Sequence, residues 1–270
     1  MGTPQLHGLV VAVTGGAVGI GREIAAAAQA AGARVAIGDR DLDQATATAA
    51  DLGIRGHPLD VTDEASYRGF LDAVAADLGP IDVLVNNAGV MWVGPFDDEP
   101  EAATAAMFDV NVIGVIRGVR LVAPEMAARG AGHIVTIASA AAKLSPPGES
   151  TYAATKHAVL GYLTGVREEL RGSGVQISAI LPGVVDTELA VGTATGAARL
   201  LTPQQVARTV VDVIAAPRFV TTVPSYIGPL VAVTGLLPQA LRDAVLRRAV
   251  PDQVAATGSG RSAYQRRTFG

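Results

Sequence analysis

Residues 9–21 read L-V-V-A-V-T-G-G-A-V-G-I-G, an apolar run that leads directly into a glycine-rich turn. The run from Leu9 to Val13 contains no polar residue, which is expected of a parallel strand buried on both faces of a sheet. An Ala-rich stretch follows and ends at Ala31-Gly32, as a helix closed by a glycine would. A strand, a glycine turn and a helix in this order predict an α/β fold.

The glycine turn has the composition of a pyrophosphate-binding turn. Gly15, Gly19 and Gly21 allow backbone N–H groups and the start of the helix to approach a phosphate. The chain continues with Arg22-Glu23, so it lacks the Lys-Ser/Thr pair of a nucleoside triphosphate loop. The alternative is a glycine turn that only packs tightly.

A second predicted strand, from Arg34 to Gly38, ends in Asp39-Arg40, about 20 residues past the glycine turn. An acidic side chain at this position accepts hydrogen bonds from the adenosine ribose and repels a 2′-phosphate, which favours NAD over NADP. Arg40 is either a ligand for the phosphate of NADP or a solvated charge, and we favour the second interpretation.

Polar residues also follow the third and fourth predicted strands. Asp60-Val61 follows the third, and Asn87-Ala88-Gly89 follows the apolar run Ile81–Val85. Doubly wound sheets bind ligands at this end of their strands, although the same residue types also form ordinary turns. Further along, a helix predicted from about Glu101 to Arg129 carries Asn111 in its apolar middle, where the amide is either bonded within the protein or holds a water.

The pattern with the clearest chemistry runs from Ser139 to Lys156. Ser139 follows the apolar strand H-I-V-T-I-A, a Pro-Pro-Gly sequence breaks the chain, and a helix is predicted to restart near Ser150 or Thr151. On that helix Tyr152 and Lys156 are four residues apart, which places them on one face.

A hydroxyl, a phenol and an ammonium in one pocket suit proton transfer coupled to hydride transfer at a carbinol or carbonyl carbon. A free phenol has a pKa of about 10, and an ammonium about 4 Å away at an effective dielectric of about 20 favours the phenolate by roughly 4 kcal/mol. We therefore expect Tyr152 to titrate near neutrality as a general acid/base, with Ser139 orienting the substrate oxygen. A Tyr–Lys pair on a helix is otherwise an ordinary surface feature. However, the chain has 21 basic residues and only two lysines, of which Lys156 is one.

Composition excludes several classes of protein. The 270 residues contain no cysteine, and the four histidines show no ligand spacing, so neither disulfides nor a metal site is expected. A net charge of −4 argues against nucleic-acid binding, and the N-terminus lacks the layout of a signal peptide, so a cytoplasmic location is expected. Without a recognisable linker, the length fits one large domain.

Taken together, these residues resemble the short-chain dehydrogenase/reductase family. The resemblance rests on T-G-G-A-V-G-I-G, Asp60, N-N-A-G, Asn111, Ser139 and Y-A-A-T-K, in this order and at these spacings, and covers about Leu6 to Val223. It implies a Rossmann-type, doubly wound, seven-stranded parallel sheet with helices on both faces, a nicotinamide cofactor and a homotetramer or dimer. The Y-x-x-x-K spacing argues against the enoyl-reductase branch.

The resemblance also implies roles for individual residues. Lys156 bonds the nicotinamide ribose as well as acting on the phenol, Asn111 holds a water in a proton relay, and Thr187 of P-G-V-V-D-T bonds the nicotinamide carboxamide. The implied catalytic set is Asn111, Ser139, Tyr152 and Lys156. The expected cofactor-binding set is Gly15, Gly19, Ile20, Gly21, Asp39, Arg40, Asp60, Val61, Asn87, Ala88, Gly89, Tyr152, Lys156, Pro182, Gly183, Val185 and Thr187.

The end of the chain lies outside these motifs. Residues 1–223 are expected to form the catalytic domain, 224–250 a helical extension of it, and 251–270 a mobile tail, while small residues in 188–201 suggest a lid. Phe219 to Leu241 carries no charge, but its prolines and glycines argue against a membrane span. We expect this stretch to cover the substrate pocket and pack against a second subunit. The alternative is an anionic membrane surface that binds arginines 242, 247 and 248.

The sequence therefore predicts an NAD(P)-dependent oxidoreductase that interconverts a secondary alcohol and a ketone, with NAD favoured, Tyr152 as acid/base and a lipophilic small-molecule substrate. Two alternatives remain: a catalytically silent, cofactor-sensing interaction protein, and a membrane-surface protein that uses the C-terminal region.

Overall fold

The computed structural model describes residues 5–195, 199–255 and 259–269, and its centre is one parallel sheet. The strand order is β3-β2-β1-β4-β5-β6-β7, so the chain winds outward in two directions from β1. The predicted fold class is thereby confirmed. The strands are β1 (Val10–Thr14), β2 (Arg34–Asp39), β3 (Arg55–Pro58), β4 (Val83–Asn86), β5 (Gly132–Ile137), β6 (Val175–Pro182) and β7 (Val220–Val223).

Helices cover both faces of this sheet. They are α1 (Gly19–Ala30), α2 (Leu42–Leu52), α3 (Glu64–Leu78), α4 (Glu101–Phe108), α5 (Gly114–Arg129), α6 (Ser150–Glu169), α7 (Pro203–Ala215), α8 (Ile227–Gly235), α9 (Gln239–Ala249) and α10 (Ser259–Phe269). None of the helices in the described ranges combines the length and the apolar character that a bilayer crossing requires.

The first strand shows why its sequence is apolar throughout. Val11 and Val13 join the core beneath α1, α2 and α7, whereas Val10 and Ala12 join the core beneath α3, α5 and α6. All residues of β1 are buried because successive side chains enter opposite cores. This burial fixes the position of the glycine turn at the carboxyl end of the strand.

The helix predicted over residues 101–129 is interrupted in the structure. One π-helical turn, Asp109–Ile113, lies between α4 and α5 and contains Asn111. An extra residue in a helical turn displaces the side chains around it, and such turns occur often at functional sites. Here the displacement turns Asn111 towards the loop that follows β4.

The start of α6 also differs slightly from the prediction. Ser150 is the first helical residue rather than the cap, and Glu149 occupies the N-cap position without a side-chain capping bond. The acidic side chain of Glu149 is thus available for other contacts.

The C-terminal region, for which the sequence predicts a mobile tail over residues 251–270, contains a helix in its described part. Within its described part, α10 packs onto the loop after β4 and buries Arg261 and Tyr264. Residues 256–258 and 270 of this tail, and 196–198 of the expected lid, lie outside the described residues. The remainder of the lid includes a short 3₁₀ turn, Glu188–Ala190, and a bridge between Val185 and Leu201.

Candidate active site

A cavity of about 760 Å³ opens at the carboxyl ends of the strands. It is lined by all the expected site residues except Gly21 and Asn111, which lie directly behind its wall. Residues far apart in the chain are therefore brought into one site, as expected at the point where the strand order reverses.

The glycine turn leaves no room for side chains. A Cβ at Gly21 would lie 2.1 Å from the carbonyl oxygen of Gly15, and both Gly15 and Gly19 have positive φ. The N-cap residue of α1, Val18, makes no side-chain capping bond. Within the described structure, the first N–H groups of α1 thus have no side-chain acceptor, so this end of the helix fits a pyrophosphate.

The turn is held from the next strand. Asn87 donates its side-chain amide to the carbonyl oxygens of Thr14 and Gly15, at 3.0 and 2.8 Å, and the backbone N–H groups of Asn87 and Ala88 donate to the hydroxyl of Thr14. In this structure Asn87 therefore supports the pyrophosphate turn, and its direct contact with a cofactor stays a prediction.

Three charged groups lie at the far end of the cavity. Asp39 accepts a 3.1 Å hydrogen bond from the backbone N–H of Ala17, which ties β2 to the glycine turn. Asp60 has a lowered pKa: burial raises it, but hydrogen bonds from Thr62 and the nearby charge of Arg40 outweigh that effect. The positive charge of Arg40 thus stabilises the carboxylate of Asp60. The negative charge of Asp60 in turn offsets that of Arg40 within the site.

The expected acid/base stands at the inner end. Tyr152 is buried on α6, and its phenol lies near the hydroxyl of Ser139, which caps the turn after β5. Burial raises the pKa of the Tyr152 phenol above its usual value, and the Glu149 carboxylate adds to this rise. The neighbouring Ser139 hydroxyl and the positive charge of Arg261 both lower the pKa of Tyr152 and so offset part of this rise.

Lys156 is also buried, and burial lowers the pKa of its ammonium to about 8. Its Nζ donates to the carbonyl oxygen of Ile137 at 3.3 Å and lies 5.5 Å from the centre of the Tyr152 ring. The expectation that this ammonium brings Tyr152 near neutrality is not met in this structure. Both groups are desolvated, and desolvation penalises the charged form of each.

Asn111 clamps three segments together. Its amide nitrogen donates to the carbonyl oxygen of Val90 and to Thr155, at 2.9 and 3.2 Å, and its oxygen accepts from the N–H of Val90. Both amide hydrogens are bonded within the protein, which agrees with the first of the two alternatives raised from the sequence, an internally bonded amide rather than one that holds a water. Only Gly89 separates this clamp from the ammonium, since a Cβ there would lie 3.2 Å from Asn111 Oδ1 and 3.8 Å from Lys156 Nζ. A catalytic part for Asn111 stays a prediction.

The segment after β6 closes the cofactor half of the cavity. A Cβ at Gly19 would lie 3.5 Å from Cγ2 of Thr187, so this segment faces the start of α1. The Thr187 hydroxyl donates to the carbonyl oxygen of Val185 at 3.3 Å. Pro182 and Gly183 line the same wall.

Sequence reasoning missed the polar groups that α10 brings to the substrate half. The guanidinium of Arg261, 1% exposed, donates to the carbonyl oxygens of Met91 and Leu189 and lies over the Tyr264 ring at 4.7 Å. Gln265 donates to the carbonyl oxygen of Val93 at 2.7 Å. The only available signal was a pair of aromatic residues, Tyr264 and Phe269, in an otherwise polar tail.

Glu149, the N-cap residue of α6, faces the guanidinium of Arg261. It is buried, its pKa is raised to about 7 by burial despite the opposing charge of Arg261, and it lines the cavity. The spacing of three residues between Glu149 and Tyr152 was visible in the sequence, but its chemical meaning depends on α10.

Comparison with known proteins agrees with this arrangement. The sequence model of a family described as short chain dehydrogenase matches residues 9–197. The chain is 31% identical to the uncharacterized oxidoreductase SH0585 of Staphylococcus haemolyticus, over 80% of this chain and 95% of that protein. It is 39% identical to D-threitol dehydrogenase of Mycolicibacterium smegmatis, over 68% of this chain and 73% of that protein.

Solved structures give the same likeness. A crystal structure of a short chain dehydrogenase/reductase from Burkholderia phymatum, in complex with NAD, superposes with a TM-score of 0.79. The identity is 28%, and the match covers 92% of this chain and 98% of that chain.

Proposed function

Because this chain belongs to the short chain dehydrogenase family, we propose that it is a nicotinamide-dependent oxidoreductase that interconverts a secondary alcohol and a ketone. The observation that carries this proposal is that Ser139 and the buried side chains of Tyr152 and Lys156 line one cavity together. A cofactor-sensing protein without chemistry has no need of a buried acid/base in its pocket.

The residues present fit a dinucleotide. The cradle at Gly21 and the uncapped start of α1 suit the pyrophosphate, and Asp39 suits the adenosine ribose. Bound nicotinamide supplies the hydride acceptor or donor. We assign Lys156 and Thr187 to its ribose and carboxamide, by resemblance to the family.

The raised pKa of Tyr152 suits one direction of the chemistry in particular. A neutral phenol donates its proton to the substrate oxygen as a ketone is reduced, and Ser139 holds that oxygen in place. The phenolate that remains is stabilised by the neighbouring Lys156 ammonium until a proton returns from solvent. In alcohol oxidation the same groups act in reverse.

A direct test is a screen of secondary alcohols and ketones with NAD, NADP and their reduced forms, followed by absorbance of the nicotinamide. Consumption of at least one pair in proportion to enzyme concentration is expected. Binding of the dinucleotide without turnover of any pair would favour the silent, cofactor-sensing alternative.

Cofactor choice should depend on Asp39, and NAD should be preferred in kcat/KM. Asp39→Asn keeps an acceptor for the N–H of Ala17 but removes the charge that repels a 2′-phosphate. We expect the NAD preference to fall by about tenfold or more, because a charge repulsion within a few Å is worth over about 1.4 kcal/mol.

The matched control is Asp43→Asn, an exposed acid nearby on α2, which should leave the ratio unchanged. A native protein that prefers NADP would show that Arg40, rather than Asp39, sets the choice.

Apolar side chains favour a substrate with a lipophilic body. Those that line the cavity outside the expected cofactor-binding residues include Leu144, Pro146, Val184, Leu189, Ile227, Leu230 and Val250. An apolar wall gains free energy from burying apolar substrate surface. The name of the D-threitol dehydrogenase relative suggests a polyol instead, and the alcohol screen discriminates between the two classes.

We further propose that the C-terminal extension packs against a second copy of the chain. Ile227 and Leu230 on α8 line the cavity, whereas Val233 and Leu236 are 61% and 87% exposed. Exposed apolar side chains in a row are rarely left bare. The arginines of α9 make an anionic membrane surface the alternative.

Replacing Val233 and Leu236 with Glu should therefore reduce the size of the assembly in solution, measured by light scattering, without removing any cavity residue. The matched control is Leu42→Glu, since Leu42 is similarly apolar and 44% exposed on α2. An unchanged assembly, together with lost pelleting on anionic vesicles, would favour the membrane surface.

A further inference from the structure

Glu149 has no evident task in the chemistry described so far. Among the described residues its carboxyl makes no hydrogen bond, although it is only 8% exposed. A carboxyl that faces a cavity loses its contact with solvent when a molecule binds there, and this costs free energy unless the bound molecule supplies a hydrogen bond. Because Glu149 lines the cavity, a bound molecule can supply the missing partner.

Its position relates it to the reacting atoms. Glu149 is the N-cap residue of α6, three residues before Tyr152, and both residues line the same cavity. Each lies near enough to influence the other electrostatically. A substrate whose reacting oxygen is bonded by Tyr152 and Ser139 therefore extends past the carboxyl of Glu149.

The surroundings restrict what Glu149 can bind. Arg261 faces it from α10, and two nitrogens of its guanidinium, Nη1 and Nη2, donate to the carbonyl oxygens of Leu189 and Met91, while its Nε has no partner among the described residues. The pKa of Glu149, about 7, leaves an appreciable fraction of carboxylate at neutral pH. A carboxylate accepts hydrogen bonds and repels other anions.

We infer that Glu149 determines specificity by accepting a hydrogen bond from a hydroxyl or amino group near the reacting carbon of the substrate. The preferred substrate is an apolar ketone or alcohol with one such donor on the neighbouring carbon or the next one. This inference rests on the proposed function and adds a substrate class to it.

Matched pairs of ketones test this inference. Acetoin is compared with butanone, benzoin with deoxybenzoin, and aminoacetone with acetone. Each ketone is tested as a substrate and as an inhibitor of the enzyme's oxidation of the best alcohol from the screen. The member with the donor should have the higher kcat/KM or the tighter inhibition, by about tenfold or more, since a hydrogen bond to a charged group is worth about 1.5–3 kcal/mol.

Two variants separate the two kinds of donor. Glu149→Leu should abolish the preference for the donor-bearing member, measured as the ratio of kcat/KM for the two members of a pair, because any change in the acidity of Tyr152 acts on both members and cancels in that ratio. Glu149→Gln keeps a neutral acceptor of the same shape, so it should retain part of a hydroxyl preference but lose an ammonium preference. It also provides the test if the Leu variant does not fold. The matched control is Glu169→Gln, an exposed acid on the same helix.

Three results would overturn the inference. The first is equal kcat/KM and equal inhibition for both members of every pair in the native enzyme. The second is a preference that survives in both Glu149 variants. The third is an equal loss of activity on both members in the variants. The last result would mean that Glu149 only balances the charge of Arg261. If parent ketones are reduced in a Tyr152-dependent manner while the donor has no effect, the proposed function stands and this inference alone fails.

Discussion

Tyr152→Phe should lower kcat by about 10²–10⁴-fold or more, because it removes the one proton donor beside Ser139 while preserving the ring. Cofactor affinity should change little, since the ring still fills its buried site. Steady-state kinetics and titration of the reduced nicotinamide by fluorescence measure the two effects separately.

The matched control is Tyr162→Phe, a half-buried tyrosine on the same helix that does not line the cavity. Its turnover should be close to native. Near-normal turnover in the Tyr152 variant would contradict the proposed chemistry, whereas loss in both variants would indicate damage to α6 rather than to the acid/base step.

Arg261→Ala should detach α10 and open the substrate half of the cavity. It leaves the buried carbonyl oxygen of Met91 without this donor, at a cost of roughly 1–3 kcal/mol, and removes a second hydrogen bond from the partly buried carbonyl oxygen of Leu189. A helix of this length is marginal in water on its own, so it should undock without unfolding the sheet domain.

We therefore expect KM for the substrate to rise by about tenfold or more, with little change in the cofactor Kd or the main thermal transition. Amide hydrogen exchange and limited proteolysis should report a loss of protection confined to residues 259–269. The closest control is Arg266→Ala, which removes an exposed arginine from the same helix. Full protection of α10 and a native KM in the Arg261 variant would show that the other contacts, such as the Gln265 bond to Val93, are sufficient.

The first strand, the glycine turn and the position of the Tyr152–Lys156 pair could be predicted from the sequence, because the constraints on them are local. An apolar run such as Val10–Val13 must be buried on both faces, and Gly21 must be a glycine, since a Cβ would meet the Gly15 carbonyl oxygen. The four-residue spacing of Tyr152 and Lys156 fixes their common face whatever packs around them. The family and the fold followed from these features, whereas the presence of Glu149 and of residues from α10 at the cavity did not.

Electrostatics at the site depended on the tertiary structure. Sequence spacing predicted that the Lys156 ammonium would dominate the titration of Tyr152, but burial dominates both groups in the folded protein. Desolvation depends on everything that surrounds a group, and no local pattern records it. The clamp formed by Asn111 likewise depends on the π-helical turn and on Val90.

The C-terminal tail shows the difference most clearly. Its sequence is polar, which is the composition of a mobile segment, and it contains no run that would form a core. Only in the folded chain do the Met91 and Leu189 carbonyl oxygens present acceptors that order Arg261. The sequence by itself determined the sheet, the glycine turn and the common helix face of Tyr152 and Lys156, because strand patterning, backbone sterics and helix spacing act within a few residues. The substrate half of the cavity was decided by tertiary structure, because Arg261 and Gln265 gain partners at Met91 and Val93, more than 100 residues before them in the chain.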